Sequence, residues 1–183
     1  MIFEDNKNRI VGIRSLIPSD FDTLVLYFQH LSENTKNRFG PHTFDKQTLI
    51  EMFEATTDFI GFIAVDNSTD SIVAYMLIKT GLLQHDVSRL QSYGIQPHPE
   101  SDCTFAPSVA DSWQSAGLGS AMFGFILQYL KSSGIRRILL WGGVQSTNSK
   151  AINYYKKHGF QSVGHFEHHG WNEDMMMELI EKQ

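Results

Sequence analysis

Residues 109–160 read VADSWQSAGLGSAMFGFILQYLKSSG, then IRRILLWGGV, then QSTNSKAINYYKKHGF, and this stretch decides the fold. A short apolar run ending at Val109 leads into Gln114, Gly117 and Gly119. Leu118, Met122, Phe125, Ile126, Tyr129 and Leu130 then recur at helical spacing. A helix start carries amides with no internal partner and a partial positive charge, and glycine lets the backbone approach an anion with no Cβ between. The stretch therefore reads as a strand, a phosphate-binding loop and an amphipathic helix. A glycine pair before a helix also suits a plain tight turn, and the residues that follow are what raise the phosphate reading above it.

The order Gln-x-x-Gly-x-Gly, helix, apolar strand, then Asn148, Ala151, Tyr155, Gly159 and Phe160 resembles the acetyl-CoA-binding core of the GCN5-related N-acetyltransferase (GNAT) superfamily. The resemblance implies that Gln114, Ser115, Ala116, Gly117, Leu118, Gly119 and Ser120 surround the CoA pyrophosphate. It implies that Ser108 and Val109 run beside the pantetheine, that Asn148 meets the cofactor arm, and that Tyr155 stands near the thioester sulfur. Two positions depart from the family pattern. Asp111 replaces a common proline after the strand, and Ser115-Ala116 lacks the basic side chain often found beside the glycines.

The chain has 183 residues, 42% hydrophobic and 19% charged, which is the balance of one globular domain, so residues 1–183 are expected to form a single GNAT-like domain. The formal net charge of −5 argues against a protein that grips nucleic acid, where clustered Lys and Arg must neutralise phosphates. No apolar run is long enough to cross a bilayer and MIFEDNKNR has no signal-peptide block, so no membrane partner and a cytoplasmic location are expected. The single cysteine, Cys103, excludes an internal disulfide and reads as a small buried hydrophobe.

Along the chain, Arg9–Leu16 reads as a strand. Ser19 with Asp22 reads as a cap for a helix burying Phe21, Leu24, Val25, Phe28 and Leu31. A second helix is expected over 45–55. Residues 37–42 lie between the two helices, and by the resemblance Asn37, Arg38, Phe39 and His42 border an acceptor cleft or form a solvated connection. FIGFIAVD and SIVAYMLIK flank NSTD as a hairpin, and residues 81–101 form a long loop or hide a short helix. Strands are expected over 102–109, 137–144, 160–167 and 174–180, with helices opening at Leu118 and after Asn148 and stopping at Gly134 and Gly159. The sum is a mixed α/β (α+β) layer structure. Consecutive hairpins exclude a doubly wound parallel sheet, and the resemblance specifies a GNAT-like acyl-CoA N-acyltransferase fold, about seven strands with helices on both faces.

Pro107 lacks an amide and is awkward in a central ladder; the resemblance resolves this, because the family strand splays there and lends its backbone to pantetheine. An amine attacking a thioester must lose a proton, and the departing thiolate needs an acid. Tyr155 is the acid by resemblance, with Tyr154 as rival, and the amide near Val109 or Ala110 is the carbonyl donor. Glu100 and Asp102, at the head of the strand, are the candidate bases, although each also reads as a surface charge. His165, His168 and His169 do not share the spacing of a metal site, so no metal is expected.

These readings converge on an N-acetyltransferase using acetyl-CoA as cosubstrate and an amine-bearing small molecule, peptide or protein as acceptor, with attack in a ternary complex and pairing into a homodimer left open. A non-catalytic acyl-CoA-binding sensor or interaction module is the alternative.

Overall fold

The computed structural model describes residues 1–179. In chain order the elements are β1 (Ile2–Glu4), β2 (Ile10–Ser15), α1 (Phe21–His30), α2 (Glu33–Lys36), α3 (Lys46–Glu54), β3 (Phe59–Asp66), β4 (Ile72–Thr80), α4 (Gln84–Ser92), β5 (Asp102–Val109), α5 (Leu118–Ser132), β6 (Arg137–Leu140), β7 (Val144–Gln145), α6 (Ser149–Lys157), β8 (Gln161–Glu167) and β9 (Trp171–Glu178). The chain falls into two compact units, one holding Met1–Ile78 with Ala106–Tyr129, the other Lys79–Phe105 with the residues from Leu130 onward. Strands β4 and β5 contribute a segment to each.

In the first unit β1, β2, β3 and the body of β4 follow one another as neighbours. The first two pairings are antiparallel, with Ile2 opposite Gly12 and Val11 opposite Asp66. Phe21, Leu24 and Phe28 of α1 are buried, as are Val11, Ile13, Phe62 and Ala64 on the strands. The entry to α1 differs from the expected Ser19–Asp22 cap. Asp20 accepts the Ile17 amide at 3.0 Å and takes both guanidinium arms of Arg14 at 2.6 and 2.7 Å, because a carboxylate can satisfy an amide and an arginine fork together. Asp45 caps α3 by accepting the Thr48 amide at 2.9 Å.

In the second unit β5 and β6 are parallel, with Asp102 opposite Arg137 through Phe105 opposite Leu140. Strand β9 then pairs antiparallel with β6 and β7 on one edge and β8 on the other. Its alternate residues face opposite sides. Met176 joins a cluster with Leu90 of α4 and Leu139, which puts even-numbered β9 residues on the α4 side. Met177 faces the other side, where its terminal methyl is 3.8 Å from the place a Cβ on Gly159, just after α6, would occupy.

The class read from the sequence, mixed α/β, is the class found, but among the described residues the strands number nine where about seven were expected. One addition is β1. The other comes from residues 137–144, which break at Gly142 and Gly143, both at positive φ (61° and 71°), to give β6 and β7. At Gly143 a Cβ would also lie 2.9 Å from the Glu173 carbonyl, so only glycine lets β7 rejoin β9 there. The expected terminal strand begins earlier, at Trp171, and its predicted last residue, Ile180, lies outside the described residues.

Candidate active site

The loop after β5 is built by two left-handed residues. Ser115 has φ 62° and Gly117 φ 88°, and between them the chain turns from a short 3-10 turn, Asp111–Trp113, into α5. The Gln114 side chain donates back to the Val109 carbonyl at 3.1 Å, closing the loop. The Ala121 amide donates to the Gly117 carbonyl as α5 begins, so the loop delivers the chain directly into a helix N-terminus with its partial positive charge. This is a backbone shape fitted to an anion with two or more oxygens.

The basic side chain missing at Ser115-Ala116 has a counterpart from the far end of the sequence. Arg9 donates to the Ser112 carbonyl at 3.1 Å and lies 3.7 Å over the Trp113 ring, while Asp5 pairs with it at 2.6 Å. Nothing local in the sequence marks Arg9 for this place, since it is 103 residues from Ser112.

Backbone parity along β5 decides which groups are turned where. The Ala110 amide donates to Val73, and at the other end Gly81 donates to the Asp102 carbonyl, so even-numbered residues address β4. Val109 and Pro107 are odd and address the opposite edge. Pro107 therefore removes no hydrogen bond from the β4 ladder, and the ladder with β6 has already ended at Phe105. Of the two amides expected to serve a carbonyl, that of Ala110 is taken by Val73 and that of Val109 is turned away from β4.

Around Asp111 the first unit holds a polar network the sequence did not show. Asp111 accepts the Ser32 amide at 3.0 Å, the Ser32 hydroxyl at 2.8 Å and the Thr35 hydroxyl at 2.7 Å. Burial pushes its carboxyl up, but these donors outweigh burial and hold it below the usual carboxylate range. Asp111 thus fastens the start of α2. Ser108 bonds Tyr27 at 2.7 Å, so its side chain faces α1. Nearby, Tyr75 is fully buried and meets His42 Nε2 at 3.4 Å within rings of Phe28, Phe39 and Phe44. Burial lowers the His42 pKa, which keeps that imidazole neutral.

In the second unit Asn148 caps α6, its Oδ1 accepting the Ala151 amide at 3.3 Å. Tyr155 is buried against Phe160, ring centroids 5.4 Å apart, and among the described residues its hydroxyl has no hydrogen-bond partner. Burial pushes this phenol up, so it stays protonated at neutral pH. Burial and the Tyr155 neighbour push Tyr154 up too, but its ring lies tilted against His158, centroids 4.7 Å apart.

Asp102 is fully buried and accepts both arms of Arg137 at 2.7 Å, and the His98 amide at 2.7 Å. Its oxygens are engaged in holding the start of β5 to β6. Glu100 is an exposed turn residue before that strand. Both lie at the end of β5 opposite Val109, and the seven residue steps from Asp102 span about 23 Å at strand rise. Cys103 is buried, and burial raises its thiol pKa well above the usual range, which makes it inert. His168 and His169 lie in the β8–β9 hairpin with rings 4.4 Å apart. Among the described residues no three His, Cys, Asp or Glu side chains gather to hold a metal ion. No helix among them is long and apolar enough to cross a membrane.

Comparison with known proteins agrees with this geometry. Similar solved structures include the GNAT domain of S. lividans PAT (TM-score 0.75, 19% identity, covering 98% of this chain and 96% of that one). Another is yncA from Salmonella typhimurium, solved with its cofactor acetyl-CoA (TM-score 0.69, 15% identity, 94% and 96%). A third is the paia N-acetyltransferase of Thermoplasma acidophilum in complex with coenzyme A (TM-score 0.64, 16% identity, 92% and 98%). At these identities the likeness is one of fold. No curated protein matches the sequence significantly. The model of the acetyltransferase (GNAT) family matches residues 26–160, a span running from α1 through the phosphate-type loop to the Phe160 that closes α6, and on that match the chain belongs to the GNAT acetyltransferase family.

Proposed function

We propose that this protein transfers an acetyl group from acetyl-CoA to a primary amine by direct attack within a ternary complex. The observation that carries the reading is the loop after β5: two left-handed residues, a side chain folded back on Val109, and the N-terminus of α5 directly beyond them. The residues fit a diphosphate, since Gly117 presents no Cβ and the nearest side chain to that position, Phe3, is 3.6 Å away. The acetyl-CoA and coenzyme A bound in the yncA and paia structures support the same assignment.

When bound, acetyl-CoA supplies an activated acyl carbon and a thiolate leaving group. The chain's own groups divide the remaining work. Residues Gln114–Ser120 bind and orient the diphosphate. The Val109 amide, turned from β4, orients the pantetheine or the thioester carbonyl, because Pro107 offers no donor on that edge. Asn148 holds the start of α6 in place, and Tyr155, neutral and unpartnered, gives its proton to the sulfur. The acceptor class is a primary amine on a small molecule, peptide or protein.

Free thiol release in the presence of a panel of amines tests the activity. Tyr155→Phe is expected to lower kcat about 10²-fold while leaving the calorimetric affinity for acetyl-CoA unchanged. Undiminished turnover would remove Tyr155 from the reaction, and tight binding with no turnover on any amine would reassign the chain as an acyl-CoA-binding module.

A further inference from the structure

We infer that Arg9, fixed by Asp5, is a positioning residue for the diphosphate loop: it clamps the turn that leads into Ser115 and Gly117 and so sets the affinity for acetyl-CoA. This rests on the acetyl-transfer reading above and adds to it a role for the β1–β2 hairpin.

The hairpin reaches the loop at both of its ends. Phe3 stands opposite Val11, and Val11 and Ile13 share a sheet face with Phe62, whose ring meets Phe125 and Tyr129 of α5. The Asp5 amide donates to the Arg9 carbonyl at 3.0 Å, which carries the pairing one step further, so by alternation Asp5 and Arg9 fall on the α5 side as well. From that side the Phe3 ring comes within 3.6 Å of the place a Cβ on Gly117 would occupy. Arg9 meets the other end, bonding the Ser112 carbonyl at 3.1 Å and lying over the Trp113 ring.

Arg9 is held in one pose. Asp5 Oδ1 accepts the Lys7 amide at 2.8 Å and the Arg9 amide at 3.0 Å, while Oδ2 accepts Arg9 Nε at 2.7 Å and pairs with Nη2 at 2.6 Å. The Asp5 side chain is fully enclosed. A carboxylate gripping the guanidinium fork fixes its plane and balances its charge, so Arg9 serves an anion site by placement and not as a free cation.

The loop needs such placement. Ser115 has φ 62°, and an L side chain keeps a left-handed conformation only where its surroundings leave it no other. The turn before it, Asp111–Trp113, is held from two sides. Asp111 is tied to Ser32 and Thr35, and Ser112 with Trp113 is tied to Arg9. Trp113 is buried, and its amide closes the turn on the Ala110 carbonyl at 2.8 Å. Releasing the Arg9 side leaves the turn free to swing, and a ligand must then order Ser115 and Gly117 as it binds, which weakens it.

Arg9→Met is the test, read as acetyl-CoA affinity by calorimetry, KM and kcat on the best amine of the panel, and the melting temperature of each variant. The expected result is an affinity weakened about tenfold and a KM for acetyl-CoA raised to match, with kcat at saturation lowered less than about twofold. Asp5→Asn is expected to weaken binding too, because it releases the guanidinium from its pose. That sign separates placement from charge, since an arginine touching phosphate directly would bind more tightly once Asp5 no longer balanced it. Val11→Ala, which thins the core of the same hairpin, is expected to lower the melting temperature and keep the affinity. Should Arg9→Met fail to fold, Arg9→Lys carries the test with the same expected loss, because an ammonium cannot span the Asp5 carboxylate and the Ser112 carbonyl while lying flat on a ring. Tighter binding by Asp5→Asn overturns the inference, as does a loss in Val11→Ala equal to that in the Arg9 variant. A parent protein that binds no acetyl-CoA overturns the acetyl-transfer reading and this inference with it. Binding without turnover on any amine overturns the transfer reading alone, and the affinity comparison still decides on Arg9. A parent that binds and turns over, matched in affinity by the Arg9 variant, overturns this inference alone.

Discussion

Asp102 shows how a residue's surroundings revise its chemistry. Charge and position made it a candidate base, but its burial beneath both arms of Arg137 makes it a lock between β5 and β6. Removing one partner of a buried pair leaves the other charge uncompensated, so Asp102→Asn is expected to cost about 3–5 kcal/mol in urea unfolding at pH 7. An Asp102 variant with low activity would thus report on folding before chemistry. Asp45 offers a pH-dependent counterpart. Hydroxyl bonds from Thr43, then the Thr48 amide and hydroxyl, hold its carboxyl down to about 2. A depressed folded-state pKa gives stability that is present above the ordinary carboxylate value near 3.8 and is lost as pH falls toward 2. The melting temperature of the parent should therefore drop more between pH 4 and pH 2 than that of Asp45→Asn, which keeps a capping oxygen but cannot ionise.

Among the elements, β5, α5 and α6 were readable from sequence because each carries its own signal: a bounded apolar run, a long amphipathic period, and a capping Asn148 with a terminal Gly159. Two others were not. Strand β1 and helix α2 are three and four residues long, too short for a period to be counted. The run over 137–144 is apolar after Arg137, and its glycine pair reads equally as strand interior and strand break. The contacts that shape the site were hidden for a different reason. Tyr27 and Ser108 stand 81 residues apart, and Arg9 and Ser112 farther still, so no window of sequence contains both members. Loop geometry supplies this scale's prediction. Gly117 has φ 88°, where an L side chain costs roughly 1–2 kcal/mol. Gly117→Ala should therefore show that loss in unfolding and at least tenfold weaker acetyl-CoA binding by calorimetry.

For the whole molecule, ligand linkage is the measurable consequence of family membership. A ligand that binds only the folded chain stabilises it by about 2.7 kcal/mol at one hundred times its dissociation constant. Acetyl-CoA is therefore expected to raise the melting temperature in a concentration-dependent way, whereas ATP and NAD at equal concentration should leave it unchanged. The net charge of −5 points the same way for the acceptor, favouring encounters with cationic amines that added salt weakens. Pro107 has a bearing on solubility as well. Its nitrogen lies on the margin of β5 turned from β4, two residues past Phe105, where pairing with β6 ends. A polypeptide trying to zip onto it meets a carbonyl with no matching donor, so this irregularity guards the margin against fibrous self-association.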